Sequence, residues 1–296
     1  MTEIIDNERT IIYGENKKNL MSPEELRIAL GLHDGENIQD YENIRTIGIG
    51  GVGAVLSAYE PGLNREIAIK LLRPQFRDNA KHIENFIREA RATAQIDHPN
   101  IVPVHRIGVF KDAGVYFTMK KVDGETLRGI LKKLRDGQAD SRRKYRLNRL
   151  LEIYVSVCNA VAFAHSHGIL HCDLKPSNIM IGNYGEVLVM DWGMAQYRVE
   201  MDKGVQDGNK MELDLNCQLD KERSVREPLT FGGTPAFMAP EDLLQKNAGP
   251  TQYSDIYSLG AILYTILCWD ISPFDASATI DQIAGQAIAG KIVPLR

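Results

Sequence analysis

A glycine-rich segment near the start of the chain has the composition of a loop that binds phosphate. Residues 48–55 read GIGGVGAV. Glycines at this spacing allow a β-turn to approach a phosphate closely, because no Cβ intervenes. The same pattern marks dinucleotide sites in which a helix follows the loop, whereas the sequence that follows here, VLSAYE, is strand-like. The segment therefore predicts a flap over nucleotide phosphates, with a plain glycine-rich hairpin as the alternative if the motif is taken alone.

A single lysine, Lys70, ends the apolar strand-like run IAIK that follows the flap. A lysine beneath such a flap would hold the α- and β-phosphates of a nucleotide as a point charge. Glu89, in the helix-patterned stretch 79–96, supplies an anion that would keep Lys70 charged and oriented. A solvated strand-edge lysine and a surface glutamate are the alternatives for the two residues taken singly.

The most specific segment is HCDLKPSN at residues 171–178, followed by Asp191-Trp192-Gly193. Asn178 lies five residues after Asp173, and Asp191 lies 18 residues after it. Residues 233–241, GTPAFMAPE, and residues 255–260, DIYSLG, follow in order. With the glycine-rich loop and the lysine strand, this series resembles the eukaryotic-like (Hanks-type) serine/threonine protein kinases from Tyr41 to the end of the chain. The phrase GEVLVMDWGMA, with Trp192 where the family usually has Phe, is similar to bacterial members.

The resemblance implies a role for each matching residue and predicts ATP and Mg²⁺ as cofactors. Asp173 would orient the substrate hydroxyl and accept its proton, and Lys175 would stabilise the γ-phosphate. Asn178 and Asp191 would hold Mg²⁺, a hard cation that prefers oxygen ligands. Lys70 and Glu89 complete the predicted catalytic set. The predicted nucleotide-binding residues are Gly48, Gly50, Gly53, Val55, Ala68, Lys70, Met119, Lys120, Val122 and Met180.

Substrate class also follows from the resemblance. Lys175, two residues after Asp173, and Thr234, in the loop expected to bind substrate, are the forms typical of serine/threonine kinases. Tyrosine kinases typically carry Ala and Arg in the loop after the aspartate. The predicted partners are therefore proteins that present Ser or Thr, and a dimer through the kinase domain is the oligomer expected, if there is one.

The order of elements predicts an α+β, bilobal fold. Short strand-like pieces at 44–47, 55–59, 66–72, 102–110 and 115–121 surround the helix at 79–96, and mainly helical sequence follows Gly124. The predicted division is an N-terminal extension at 1–40, a small β-rich lobe at 41–122 and a larger helical lobe at 123–296. The sequence SPEE at 22–25 predicts one short helix in the extension.

Composition limits the other classes of function that the chain could have. The 296 residues include 44% hydrophobic and 25% charged residues, and the formal net charge is −4. This balance does not indicate binding to nucleic acid or to an anionic membrane. Four widely spaced cysteines contain no C-x-x-C pair, so a zinc site is not expected and a reducing, cytoplasmic location is predicted. Any membrane anchor would lie outside the given residues.

Two departures from the family pattern concern regulation. Cys172 occupies the position at which the family normally has an arginine that binds a phosphate on the activation loop. We therefore expect activity to depend little on phosphorylation of that loop. The neighbouring Asp173 should raise the pKa of the Cys172 thiol, so we expect a structural rather than a reactive cysteine. A polar insert at about 199–227, which also departs from the pattern, is expected to be disordered or functional.

The third departure is at the end of the chain. The family normally continues through two more helices, one of which brings an arginine to the glutamate at the position of Glu241, so the large lobe is expected to be incomplete. The alternatives to an active kinase are accordingly a weak kinase fragment or a pseudokinase that binds nucleotide and regulates a partner. A small-molecule kinase is disfavoured by the substrate-binding loop at 233–241.

A basic stretch at residues 132–149 is the last feature of note. It includes Arg142, Arg143 and Lys144 and could bind acidic partners. A solvated helix and loop face is the more common interpretation of such a charge run.

Overall fold

The computed structural model describes residues 34–111, 113–197, 234–243, 249–269, 273–274 and 279–294. Within these residues the predicted α+β bilobal fold is confirmed: a β-rich small lobe precedes a mainly helical large lobe. The predicted helix at 22–25 and the polar insert at 199–227 lie outside the described residues.

The small lobe is a six-stranded sheet with one long helix. The strands are β1 (Asp34–Glu36), β2 (Glu42–Ile49), β3 (Gly53–Glu60), β4 (Arg65–Leu72), β5 (Val104–Phe110) and β6 (Gly114–Lys120), and helix α1 (Ala80–Gln95) lies between β4 and β5. Their spatial order is β1-β5-β6-β4-β3-β2. All neighbours are antiparallel except β1 and β5. The predicted strands and helix are thus confirmed with small shifts in their bounds.

Both faces of the central strands are buried, and this explains the apolar sequence of β4. Ile67 and Ile69 point into one cluster with Phe110 and Tyr116. Ala68 and Leu72, on the opposite face, pack in a second cluster that also contains apolar residues of helix α1 (Ile83, Phe86, Ile87 and Ala90). Alternate residues of a strand point to opposite faces, so a strand between two clusters is apolar at nearly every position.

Helix α1 begins at a specific capping contact. The Asn79 side-chain oxygen accepts a hydrogen bond from the backbone N–H of His82 at 3.1 Å. Such a cap satisfies one of the free donors of the first helical turn. Glu89 is buried together with the apolar residues of the same helix. Helix α1 therefore carries one carboxylate on the face that it packs against the sheet.

The large lobe contains most of the remaining helices. The elements are β7 (Gly124–Thr126), α2 (Leu127–Arg135), α3 (Ala139–Lys144), α4 (Leu147–Ser166), β8 (Ile169–Leu170), β9 (Ile179–Gly182), β10 (Val187–Val189), β11 (Gln196–Tyr197), α5 (Pro240–Leu243), α6 (Gln252–Cys268) and α7 (Ile280–Ile288). Helices α4 and α6 pack against each other. Their buried residues belong to one cluster that also contains Trp192 and Phe237.

Helix α4 is long and apolar enough to cross a membrane by length and composition. The core helix of a water-exposed domain passes the same test, so this property is weak support for a membrane span. In the folded chain α4 buries Leu150, Ile153, Val157 and Val161 in the large-lobe core. We therefore treat α4 as a core helix.

The two lobes are joined by hydrogen bonds around Asn100. Its side-chain Nδ2 donates to the Val187 carbonyl at 2.9 Å, and its own carbonyl accepts from the Val189 N–H at 2.8 Å. Ile101 forms a parallel bridge with Val189. The segment that enters β5 is thereby held against β10, directly before the segment that carries Asp191.

Gly124 allows β7 and β9 to approach closely, which gives a first prediction. A Cβ at this position would lie 2.2 Å from the Ile181 carbonyl oxygen and 2.7 Å from the Gly182 Cα, which are both backbone atoms. We expect Gly124→Ala to lower the free energy of unfolding by about 3 kcal/mol, because backbone atoms must move. Urea unfolding followed by circular dichroism measures this change.

Gly62→Ala is the matched control, since a Cβ there would have no atom within 4 Å. We expect it to be neutral or to stabilise by about 0.5 kcal/mol. Equal stabilities of the two variants would contradict the close approach of β7 and β9.

Candidate active site

The glycine-rich loop is a hairpin between β2 and β3. Gly48 pairs with Val55 across the hairpin, and the Gly50 N–H donates to the Gly53 carbonyl at 2.8 Å. A Cβ on Gly53 would lie 3.3 Å from Cε of Lys70. The loop therefore lies next to the Lys70 side chain, where sequence analysis expected a phosphate flap.

Four of the predicted nucleotide-binding side chains share one face of the sheet. Val55 on β3 is opposite Lys70 on β4, and Ala68 on β4 is opposite Met119 on β6. Directly opposed residues of antiparallel strands point to the same face, and so do residues two apart on one strand. The register thus aligns an apolar surface formed by Val55, Ala68 and Met119 with the Lys70 ammonium.

Lys70 joins three elements through its ammonium group. Its Nζ forms one ion pair with Oε1 of Glu89 on α1. It forms a second ion pair, at 2.9 Å, with Oδ1 of Asp191, which follows β10. The Glu89 side chain is only 9% exposed, whereas that of Asp191 is 49% exposed. One cation therefore neutralises a buried carboxylate and a carboxylate that is open to solvent.

Burial and charge shift the pKa values of all three groups. Burial alone would lower the pKa of Lys70, but the carboxylates of Asp191 and Glu89 outweigh burial and raise it. The charge of Lys70 lowers the pKa of the half-exposed Asp191 to about 2. Burial raises the pKa of Glu89 to about 7, with Lys70 opposing the rise. Asp191 is thus held ionised near neutral pH, while Glu89 is poised to titrate.

A second cluster surrounds Asp173, in the loop between β8 and β9. Lys175 Nζ lies 2.9 Å from Oδ2 of Asp173 and donates to Oγ1 of Thr234, also at 2.9 Å. Asn178 Nδ2 donates to the Asp173 carbonyl at 2.9 Å. Burial raises the pKa of Asp173, and Lys175 opposes the rise. The structure thus brings together four of the predicted site residues, which are separated by up to 61 positions in the chain.

Asp255 in the first turn of α6 holds the backbone of this loop. Its carboxylate accepts hydrogen bonds from the N–H groups of His171 and Cys172, each at 2.9 Å. Oδ2 of Asp255 also lies 2.7 Å from Nε2 of His165 on α4. In the sequence, Asp255 is only the first residue of the DIYSLG motif, and these contacts were not predicted. An aspartate inside an otherwise apolar helix was the available signal, because a buried carboxylate requires hydrogen-bond donors.

His171 and Trp192 form an aromatic contact beneath the site. Their ring centroids are 4.5 Å apart, and both side chains are buried. His171 Nε2 lies 3.1 Å from the Met190 carbonyl. The contact links the Asp173 loop to the segment of Asp191. Asp191 itself has φ of +58°, an αL backbone that costs energy for a non-glycine residue.

Asn178 and Asp191 fit a magnesium site by the chemistry of their donor atoms. Asn178 uses its Nδ2 in the hydrogen bond to the Asp173 carbonyl, which leaves its side-chain oxygen available as a ligand. Asp191 remains ionised because of its low pKa. The described residues contain no group of three or more His, Cys, Asp or Glu that could hold a metal. Two protein oxygens suit Mg²⁺, which is usually bound through one or two carboxylates together with substrate phosphates.

Cys172 lies against carboxylates rather than cations. It lines a cavity that also includes Asp173, Asp242 and Asp255, and no described residue of that lining is a Lys or Arg. Burial raises the pKa of the Cys172 thiol well above its usual value, and the three carboxylates raise it further. This is the direction that sequence analysis predicted from Asp173 alone.

The remaining predicted site residues have fewer specific contacts in the structure. Lys120 donates its backbone N–H to the Pro103 carbonyl at 3.1 Å, so its carbonyl is the backbone group that could accept a hydrogen bond from a ligand. Met180 lies on β9 and is half-buried, as is Val122 after β6. Glu241 is exposed and forms no ion pair with any described residue.

Comparison with known proteins identifies relatives across most of the chain. The sequence profile of the protein kinase domain family matches residues 41–289. Serine/threonine-protein kinase PknD of Protochlamydia amoebophila is 38% identical over 246 residues, which cover 82% of this chain and 24% of that protein. PknD of Chlamydia abortus is 37% identical over 235 residues, covering 78% of this chain and 24% of that protein. The chain thus spans about a quarter of the length of these relatives.

The Lys70 ion pairs predict a measurable loss of stability on Lys70→Met. The substitution leaves the buried Glu89 carboxylate without its cation. We expect the free energy of unfolding in urea to fall by about 2 kcal/mol, less than the about 3–5 kcal/mol that is typical of a broken buried pair. The loss is limited because Asp191 is half exposed and because Glu89, with a pKa of about 7, can take up a proton.

Lys121→Met is the matched control for this experiment. Lys121 is about as buried as Lys70, but its carboxylate partners Glu66 and Asp123 are mostly exposed. We expect a change below about 1 kcal/mol. Adding Glu89→Gln to Lys70→Met should restore most of the stability, and a double variant no more stable than Lys70→Met would contradict the explanation.

Proposed function

The chain belongs to the protein kinase domain family, and on this premise we propose that it transfers the γ-phosphoryl group of Mg·ATP to serine or threonine hydroxyls of proteins. The observation that carries the proposal is the Lys70 ammonium between Glu89 and Asp191. It joins a strand, a helix and the loop after β10 at one point beneath the glycine-rich hairpin. The Asp173 loop is joined to the segment of Asp191, because the Met190 N–H donates to the Asn178 carbonyl at 2.8 Å.

Lys70 and the hairpin would bind the phosphates of the nucleotide. Gly48, Gly50 and Gly53 would allow the phosphates to approach the hairpin backbone closely, since glycine has no Cβ. Lys70 would exchange part of its ion pairing for the α- and β-phosphates, while Glu89 keeps it oriented. Asp191 and Asn178 would hold Mg²⁺, which neutralises charge on the phosphates when bound.

Asp173 and Lys175 would act on the transferred group. Phosphoryl transfer has a loose transition state, so positioning and charge stabilisation supply most of the catalysis. Asp173 would accept the hydroxyl proton of the substrate late in the reaction, and its raised pKa makes it a better base. Lys175 would stabilise the γ-phosphate, and its contact with Thr234 ties it to the predicted substrate-binding loop.

The adenine would occupy the apolar face described above. Val55 and Ala68 would lie above the ring, Met180 below it and Met119 at the back. The backbone of Lys120 and Val122 would bind the edge of the adenine, through the carbonyl in the case of Lys120. These roles rest on the resemblance and on the shared sheet face of Val55, Ala68 and Met119.

Serine/threonine specificity is supported by two observations. Lys175 contacts Thr234, and both residues are the serine/threonine forms of their loops. The relatives named above are serine/threonine kinases by name. The cytoplasmic location and the dimer through the kinase domain remain predictions.

Removal of the proposed base tests the function. With Mg·ATP and a generic basic protein, the chain should transfer phosphate, and Asp173→Asn should lower the rate by about 10²- to 10⁴-fold. Asp97→Asn, an exposed aspartate after α1, is the matched control and should leave the rate unchanged. Mg·ATP should still raise the melting temperature of Asp173→Asn. If the unmodified chain binds nucleotide but transfers no phosphate, the alternative of a nucleotide-binding regulatory module replaces the proposal.

Cys172 predicts that activity is independent of phosphorylation of the activation loop. A phosphate delivered to the cavity beside Cys172 would meet three carboxylates and no cation among the described residues of its lining. We expect phosphatase treatment, followed to completion by intact mass, to change the rate by less than about twofold, since no anchoring cation is lost. A tenfold or larger fall after dephosphorylation would show that another residue supplies the anchor.

A further inference from the structure

A cationic surface lies on the large lobe in residues 132–149, and we call these residues the basic surface. The stretch contains eight Lys and Arg against two Asp, a net charge of +6 in a chain whose net charge is −4. The residues outside the stretch therefore carry −10. The positive charge is concentrated in one part of the fold, and the net charge of the whole chain conceals it.

The fold turns these cations outward. Helix α2 ends at Arg135, and Gly137 reverses the chain with φ of +78° before helix α3. Two residues of the same stretch, Leu134 and Tyr145, point into the large-lobe core and are buried there. Most of the cationic side chains are consequently exposed, namely Lys132, Arg135, Arg142, Arg143, Lys144 and Arg146.

Part of this charge is not neutralised by the chain itself. Arg143 pairs with Asp140 in an exposed contact, and Arg149 pairs with Glu152. Within the described part of the chain, Lys132, Lys144 and Arg146 form no ion pair. Exposed ion pairs such as Arg143–Asp140 are weak and leave the arginine available to another anion.

Exposed apolar side chains accompany the cations. The β9–β10 hairpin is fastened to the basic surface by Arg149, whose Nη2 donates to the Gly185 carbonyl at 2.8 Å. Tyr184, at the tip of this hairpin, is 99% exposed, and Leu147, at the start of α4, is 49% exposed. Arg142 lies over the ring of Trp269, 5.4 Å from its centroid. The surface thus combines cations with an aromatic and an aliphatic side chain that point into solvent.

We propose that the basic surface, together with Tyr184 and Leu147, binds the anionic surface of a lipid bilayer peripherally. Clusters of four to eight Lys or Arg are attracted to anionic lipids, and tyrosine is favoured at the interface between lipid and water. Leu147 would contribute shallow apolar burial. Binding would hold the kinase domain at a membrane without a spanning segment.

The shape of the surface favours a bilayer over an acidic peptide. An acidic peptide gains specificity from a groove, whereas the cations and Tyr184 project from helix ends and from a hairpin tip. The cavity beside Cys172 is lined by Asp173, Asp242 and Asp255 and by none of these cations. A projecting cationic surface with apolar tips suits a broad anionic plane.

Vesicle binding by the 296-residue chain tests the proposal. We expect co-sedimentation with vesicles of phosphatidylcholine containing phosphatidylglycerol, and not with phosphatidylcholine alone. Binding should weaken as salt is raised. The variant Arg143→Ala/Lys144→Ala/Arg146→Ala should weaken binding by about 100-fold, from the typical contribution of a cation near an anionic membrane.

A control variant that removes the same charge elsewhere distinguishes the effect of the basic surface from that of the overall net charge. Arg45, Lys111 and Lys291 are exposed and lie outside the basic surface, so their triple alanine variant removes the same charge. It should bind vesicles within a fewfold of the unmodified chain. Equal weakening of the two triple variants would overturn the proposal, because overall charge would then explain the binding.

Tyr184 and Trp269 give readouts that do not depend on charge. Tyr184→Ser should weaken vesicle binding severalfold with the net charge unchanged. The chain has two tryptophans, and Trp192 is buried, so Trp269 beside Arg142 should report binding by a change in its fluorescence. That change should vanish in Trp269→Phe.

Polyglutamate serves as the competing ligand. No binding of the unmodified chain to anionic vesicles, together with retention of polyglutamate by the basic surface, would overturn the lipid assignment in favour of an acidic protein partner. No binding to either would leave the basic surface a solvated face and would equally overturn the proposal. Phosphate transfer by each variant in solution should be unchanged, which confirms that the variants are folded.

Discussion

One ammonium group, Nζ of Lys70, sets the geometry on which the rest of the cleft depends. It must lie within hydrogen-bonding distance of Glu89 on α1 and of Asp191 after β10. A buried carboxylate without a cation is costly, so the helix cannot move away from the sheet without a loss of free energy. The apolar packing of α1 against the sheet and the Asn100 contacts between the lobes bring these three groups close together. The ion pairs then select that arrangement among those that the packing allows.

Asp255 acts in a comparable way inside the large lobe. Its carboxylate is buried in the first turn of α6 and is satisfied by two backbone N–H groups and His165. Hydrogen bonds from backbone donors fix the path of the loop rather than one side chain. The φ of +64° at Cys172 belongs to this path. Asp255, which is 82 positions after Asp173 in the chain, therefore fixes the orientation of the backbone that precedes Asp173.

Sequence alone predicted the elements and the local motifs well, because strand alternation, helix periodicity and glycine spacing are local properties. It predicted that Lys70 and Glu89 interact, although they are 19 residues apart. It missed β1, whose three residues Asp-Gly-Glu have low strand propensity and pair in parallel with β5 through backbone contacts. It also missed the contacts of Asp255, because nothing in the local sequence of α6 indicates which loop its carboxylate will meet.

The net charge of the whole molecule is a second example of what the sequence alone does not predict. A net charge of −4 argued against anionic surfaces as ligands, yet the sum conceals a surface of +6 and a remainder of −10. Because the Debye length is about 8 Å at physiological salt, a ligand responds mainly to the nearest charges and not to the net charge of the chain. The carboxylates beside Cys172 and the cations of residues 132–149 can therefore act independently on different partners. A run of charged residues can be a solvated face or a binding surface, depending on the side chains that lie next to it. Here Arg149 holds the hairpin that carries the exposed Tyr184 beside the cations.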